Sequence, residues 1–100
     1  MLMNLDTQLT SKEIVEIGLG SIGKVKIIKA LEEQGKMVTV YTLQKKTHLK
    51  REDIKRNLKD LIKIGWVKES KLANIMYSLN RDDHYITCMI AFFKEVGYIC

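Results

Sequence analysis

Hydrophobic positions recur along the chain with a helical period, interrupted once by a stretch of period two. Thr10 followed by Glu13 has the spacing of a capping box. Ile14, Val15 and Ile17 give the short helix that it opens, about 11–17, an apolar side, and Gly18 and Gly20 end it. Ser21 is placed to cap a second helix, about 22–34, with Val25, Ile28 and Leu31 as its stripe and Ile27 as a flank. Gly35 supplies a left-handed stop. Met37-Val38 reads as a short extended piece, after which Thr39 caps a helix of about two turns, 40–46, with Val40 and Leu43 inward. Thr47-His48-Leu49 breaks the pattern. A longer helix follows, about 50–64, in which Ile54, Leu58, Leu61 and Ile62 fall at i, i+4, i+7 and i+8 and share one face.

Beyond Gly65 the period changes. Trp66 to Ser70 and Asn74 to Leu79 read as two short strands, a hairpin spanning about 66–79 with Lys71-Leu72-Ala73 at its tip; Ile75, Tyr77 and Leu79 alternate with Asn74, Met76 and Ser78. Asp82 or Asp83 then caps a last helix, about 84–96. That helix has two apolar stripes, Ile86, Met89, Ile90 and Phe93 on one side and Tyr85, Cys88, Phe92 and Val96 on another. The expected class is α+β, mainly α, in one domain covering residues 1–100. The helix–turn–helix–hairpin order is that of a winged helix with a wing of two to three short strands and an added C-terminal helix.

Charge changes the picture more than composition does. With 46% hydrophobic and 29% charged residues the chain is ordinary for a folded domain. The formal net charge is +5, and it is concentrated: residues 44–71 hold ten Lys/Arg against four acids, a balance of +6, so the other 72 residues carry −1. A basic segment on a near-neutral body is the footprint of a polyanion binder. No apolar run is long enough to cross a bilayer, and Met1 to Asp6 lack the pattern of a secretory leader. The expectation is therefore a cytoplasmic protein with no membrane partner. Cys88 and Cys100 are too few for a disulfide framework; the plain expectation is a buried thiol at Cys88 and a frayed one at Cys100, with a disulfide across a dimer as the alternative.

Several residues in this order carry a family likeness. The stretch from Val40 through Lys45-Lys46-Thr47-His48-Leu49-Lys50-Arg51 to Ile54, Leu58, Leu61 and Gly65-Trp66-Val67 resembles the second helix, turn and recognition helix of archaeal and bacterial winged helix-turn-helix regulators. Tyr77-Ser78-Leu79-Asn80 resembles the close of their wing, and Phe92-Phe93-Lys94-Glu95-Val96-Gly97-Tyr98-Ile99 the C-terminal helix of archaeal members. The likeness covers about residues 22–99. It implies double-stranded DNA as partner, with helix 50–64 in the major groove. The chain departs from that pattern at His48, where glycine is usual, and at Lys50, where serine or threonine usually caps the helix.

On helix 50–64 the face opposite the apolar one holds Glu52, Arg56, Lys59 and Lys63, with Lys55 at its edge and Lys50 and Arg51 in the opening turn. Arginine reads guanine in a two-pronged contact, so Arg51 and Arg56 are the candidates for base recognition. Lys45, Lys46, Lys59 and Lys63 suit phosphate, and Lys68 and Lys71 give the wing a modest phosphate contact. Glu52 either accepts from a cytosine or pairs with Arg56 one turn on, the pairing being preferred. His48 either touches DNA or fills the turn. Trp66 and Tyr77 are expected in the core rather than as stacking platforms.

The second apolar stripe of the last helix needs a cover, and a homodimer through Tyr85, Cys88, Met89, Phe92, Phe93 and Val96 supplies one; the alternative is a monomer in which helix 11–17 covers it. Chemistry is sparse. His84 and Cys88 stand one turn apart without a second ligand pair, so no metal site is read. No phosphate-cradling loop or activated nucleophile is present, and the expectation is a non-enzyme without cofactor. Two further readings remain: a sequence-tolerant architectural DNA-binding protein, and a winged helix used for protein contact.

Overall fold

A computed structural model describes residues 9–99. In chain order its elements are α1 (Ser11–Gly18), α2 (Ile22–Gln34), α3 (Val40–Thr47), α4 (Arg51–Lys63), β1 (Val67–Ser70), β2 (Met76–Leu79) and α5 (His84–Glu95). The class is α+β and mainly helical. Local chemistry explains most boundaries. The Thr10 hydroxyl accepts from the Glu13 N–H, and the Glu13 carboxylate accepts from the Thr10 N–H and hydroxyl, which closes the capping box. Ser21, Thr39 and Asp83 each accept a backbone N–H three residues on, at the starts of α2, α3 and α5. Gly35 ends α2 in the left-handed region at φ 65°.

The two strands pair antiparallel, Val67 opposite Leu79 and Ser70 opposite Met76. On its other side β2 exchanges two hydrogen bonds with Val38, through the N–H and carbonyl of Tyr77 at 2.8–2.9 Å. The extended piece before α3 thus adds one residue of a third strand. A clamp closes the base of the hairpin: Asn80 donates from its side chain to the Gly65 carbonyl and from its backbone to that of Trp66, both at 2.9 Å. The connection, residues 71–75, is longer than the expected tip. Ile75 is turned outward, because the alternation that buries Tyr77 and Leu79 begins only at Met76.

The core lies where α2, α3 and α4 meet the hairpin and α5. Ile27, Ile28, Leu31, Leu43, Ile54, Leu58, Leu61, Trp66 and Ile86 are its fully buried side chains. Ile27 is a full member and not a flank, because α2 is covered on two sides, by α3 and α4 and by β2. The single tryptophan joins the most elements. Its indole stacks on Tyr85 of α5 at 6.1 Å between centroids and fills the space over Gly18 of α1, while the Trp66 backbone N–H donates to the Leu61 carbonyl of α4. Buried tryptophans of this kind contribute about 3–5 kcal/mol by truncation.

α5 presents Ile86, Ile90 and Phe93 inward, and Phe93 meets Tyr98 edge to face at 5.0 Å. Three expectations change here. Phe93 is 6% exposed, so it belongs to the domain's own core and leaves the set expected at a dimer interface. Cys88 is exposed and not buried, because the inward stripe of α5 follows Ile86, Ile90 and Phe93 and leaves Cys88 on the outer side. α1 packs on α4, and Phe92 and Val96 stay 60% and 59% exposed among the described residues. No described helix is long and apolar enough to cross a membrane. Residues Met1 to Asp6 and the Cys100 thiol lie outside the described residues.

Two predictions follow from this packing. A Cβ at residue 18 would be driven into the Trp66 ring, so Gly18→Ala should destabilise the fold by about 1–3 kcal/mol, the usual cost of overpacking, as read from urea denaturation. Glu13 has its pKa lowered by the Thr10 backbone N–H first and the Thr10 hydroxyl second. Its contribution to α1 is therefore complete above the ordinary glutamate pKa and lost as pH falls through the lowered one. Helical chemical shifts of α1 in an acid titration should decay with the Glu13 carboxyl, and Glu13→Gln should remove that pH step.

Candidate nucleic-acid interface

Burial of Ile54, Leu58 and Leu61 fixes the rotation of α4 about its axis. One result is that Lys50, Arg51, Glu52, Lys55, Arg56, Lys59 and Lys63 are all exposed. The helix begins without a side-chain cap, since Lys50 makes no capping bond. Glu52 and Asp53 in its first turn offset this by lying against the positive end of the helix dipole.

Two contacts set where α4 sits. Lys24, 11% exposed, reaches from α2 to Asp60 at 2.9 Å. Beside it α2 crosses α4 at Gly23, where a Cβ would stand 2.6 Å from the Asn57 amide nitrogen. A side chain at residue 23 would therefore have to displace the Asn57 amide. Asn57, one turn before Asp60, is buried by that approach, which hydrophobic periodicity does not reveal.

The turn between α3 and α4 is built by Thr47 and His48. The Thr47 hydroxyl donates to the Leu43 carbonyl at 2.7 Å and accepts from the Leu49 N–H at 3.2 Å. His48 adopts φ 62°, the only non-glycine residue in the left-handed region among those described, and its N–H bonds the Gln44 carbonyl. A residue with a Cβ pays a conformational penalty there that glycine does not.

Arg56 is held by Asp53, Nη2 to Oδ1 at 2.8 Å, and not by Glu52. The preferred pairing of Glu52 with Arg56 is therefore corrected: both the i,i+3 and i,i+4 spacings bring side chains together on a helix, and here the i,i+3 acid takes the arginine. Arg56 remains 67% exposed, so the ion pair orients the guanidinium without hiding it. Glu52 is left outward.

The remaining candidates fall into separate groups. Arg51 and Lys55 line a concavity of about 460 Å³ with Thr39, Tyr41, Asn74 and Ile75, between the starts of α3 and α4 and the hairpin. Tyr77 forms part of its wall. Burial raises its phenol pKa, the Glu69 carboxylate raises it further, and Arg51 opposes them. Lys45 lies over the exposed Tyr41 ring at 5.5 Å. Lys46 and His48 line a different concavity, about 360 Å³, with Lys26, Lys29, Glu33 and Tyr98. The hairpin cations are partly offset, Lys71 by Glu69 at 3.7 Å and Lys68 by Asp82 at 4.0 Å.

No family model, no characterised protein and no solved structure matches the chain.

Sequence reasoning missed Lys26, Lys29 and Tyr41. Lys26 and Lys29 lie outside the basic segment 44–71, and only the packing of α2 beside the end of α3 adds them to Lys46. Their i,i+3 spacing on the polar side of α2 was the available signal. Among the described residues no group of three or more His, Cys, Asp or Glu converges.

The strained turn yields a test that separates the two readings of His48. His48→Gly should stabilise the protein by about 0.5–1 kcal/mol by relieving the left-handed penalty, measured by thermal or urea denaturation. If the imidazole only fills the turn, the same variant should bind DNA unchanged; a loss of affinity in the stabilised variant would assign it a contact.

Proposed function

We propose that the protein is a non-enzymatic transcriptional regulator of the winged helix-turn-helix type, which binds double-stranded DNA through α4 and acts as a homodimer. One observation carries this reading. The face of α4 opposite its buried residues, together with its opening turn, exposes Lys50, Arg51, Lys55, Arg56, Lys59 and Lys63, six cations on a single helix. A helix of this width fits the major groove of B-form DNA, and its first turns reach base edges. In this reading α3 and α4 are the helix pair and β1–β2 the wing. Arg56, oriented by Asp53, and Arg51 read bases. Lys45, Lys59 and Lys63 bind phosphates, with Lys46 and its neighbours Lys26 and Lys29 as a further phosphate-binding group on the flank.

The outward face of α5 supports the dimer. Phe92 and Val96 are large apolar side chains on one exposed side, with Tyr85 and Met89 half-buried beside them. A second copy across a two-fold axis covers this side, and places two α4 helices on successive half-sites about 34–36 Å apart. The architectural reading draws support from the excess of lysine, eight against two arginines in residues 44–71, since lysine binds phosphate with little base preference.

Selection from a random pool of duplex DNA at two salt concentrations separates these readings. A palindromic motif with affinity falling steeply in salt is the expected result; salt-sensitive binding without a motif would favour the architectural protein, and no binding at low salt would sink both. Within the recovered site, Arg56→Ala should cost about 1–3 kcal/mol and relax preference at one position. Lys59→Ala should weaken all sequences alike and reduce the log–log salt slope by about 1. Equal loss on every sequence for both variants would remove the base-reading role of Arg56.

A further inference from the structure

We propose that the concavity between α2 and the turn from α3 to α4 binds a small polyphosphate anion, which competes there with the DNA backbone. The competition rests on the regulator reading above; the site itself does not. The concavity, about 360 Å³, is lined from two elements. Lys26 and Lys29 stand on α2, and Lys46 and His48 stand at the end of α3 and in the turn. Small-molecule sites begin at about 300 Å³, so the space suits a compact ligand. The three ammonium groups take part in none of the described ion pairs, although acids hold Lys24, Arg56, Arg81 and Lys94 elsewhere. Three lysines against Glu33 leave the lining at +2.

Two details distinguish this group from lysines merely solvated at a surface. Lys29 is half-buried, with its ammonium 4.6 Å from the centroid of the Tyr98 ring. A cation already ordered in this way loses little further freedom when an anion arrives. His48 holds φ 62°, where glycine would be free of strain, and its imidazole is exposed in the lining. The ring supplies an N–H donor to the anion that glycine could not. The carbonyl end of α3 acts against an anion. Its last carbonyls are occupied, Leu43 by the Thr47 hydroxyl and Gln44 by the His48 N–H, and Lys46 stands in the same turn of helix. An anion of two linked phosphates, such as pyrophosphate or the diphosphate group of a nucleotide, reaches cations on both elements at once. Lys26, Lys29 and Lys46 are also the flank group assigned above to DNA phosphates, so the two polyanions exclude each other.

Pyrophosphate is titrated into the nitrogen-15-labelled full chain, without phosphate buffer or divalent metal and at constant ionic strength set with chloride. Saturable shifts at one anion per chain are expected, confined to the amides around residues 26–30 and 46–48. Lys26→Gln and Lys29→Gln should each weaken binding about tenfold, the loss of one charge-assisted contact, and His48→Gly should weaken it with the thermal transition raised. Saturating pyrophosphate, again at constant ionic strength, should lower the affinity of the unaltered protein for a random pool of duplex DNA. It should leave that of the Lys26→Gln/Lys29→Gln double variant unchanged. Shifts spread over the lysines of α4, or reproduced by chloride alone, would overturn the site and leave the DNA reading standing. Confined, saturable shifts in a protein that binds no DNA would support the site and sink the DNA reading. A saturated site with DNA affinity unchanged would overturn the competition.

Discussion

A single indole holds the geometry of this protein together. Trp66 leaves α4 immediately after Gly65, and its ring is trapped between the end of α1 and Tyr85 of α5. Its backbone is tied back to α4 through Leu61 and forward to the end of the hairpin through Asn80. Four elements that are distant along the chain are therefore referenced to one rigid side chain. The angle at which the hairpin departs from α4, and hence whether the strands stand beside the basic face or fold over it, is set at this joint. Gly18 is the complementary half of the arrangement, since the ring occupies the place that any side chain there would need.

The helices and their order were legible in the sequence, and so was much of the core. Ser21, Thr39, Asp83 and Gly35 are short-range signals, and each acts within four residues of where it stands. The inward face of α4 followed from periodicity alone, whereas α5 offered two apolar stripes between which periodicity does not choose. What the sequence did not reveal depends on contacts between elements. Ile27 is core because α2 is enclosed on more than one side, Asn57 is buried because Gly23 permits a close crossing, and Phe93 turns inward because Tyr98 folds back onto it. At the candidate interface the cations of α4 were read correctly as one exposed set, whereas Lys26 and Lys29 were invisible until α2 was placed beside the end of α3.

Electrostatics refine the interface more than they create it. Acids stand beside several of its cations: Asp53 orients Arg56, Asp60 anchors Lys24, and Glu69 faces Lys71. The exposed pairs, Arg56 with Asp53 and Lys71 with Glu69, contribute little to stability, about 0–1 kcal/mol each. Their effect is on where positive potential is left over. On α4 the outward side keeps Lys55, Lys59 and Lys63 without a paired acid among the described ion pairs, while the hairpin is close to neutral. Glu32 pairs with Arg81 at 2.5 Å and Lys94 at 4.0 Å, tying the end of α2 to α5 and to the residues just before it and giving two further cations an acidic partner.

The bridge between Val38 and Tyr77 has a consequence for how the protein behaves at high concentration. An open strand edge invites a neighbouring chain to add a strand and seed aggregation. Here β2 is hydrogen-bonded on both sides, to β1 and to Val38. The bridge covers β2 at Tyr77, and the edge of β1 is only four residues long and carries Lys68 and Glu69. So short and charged an edge gives an incoming strand few apolar contacts and a mixed-charge row to match. Many copies can therefore crowd together while the sheet stays closed to self-templating growth.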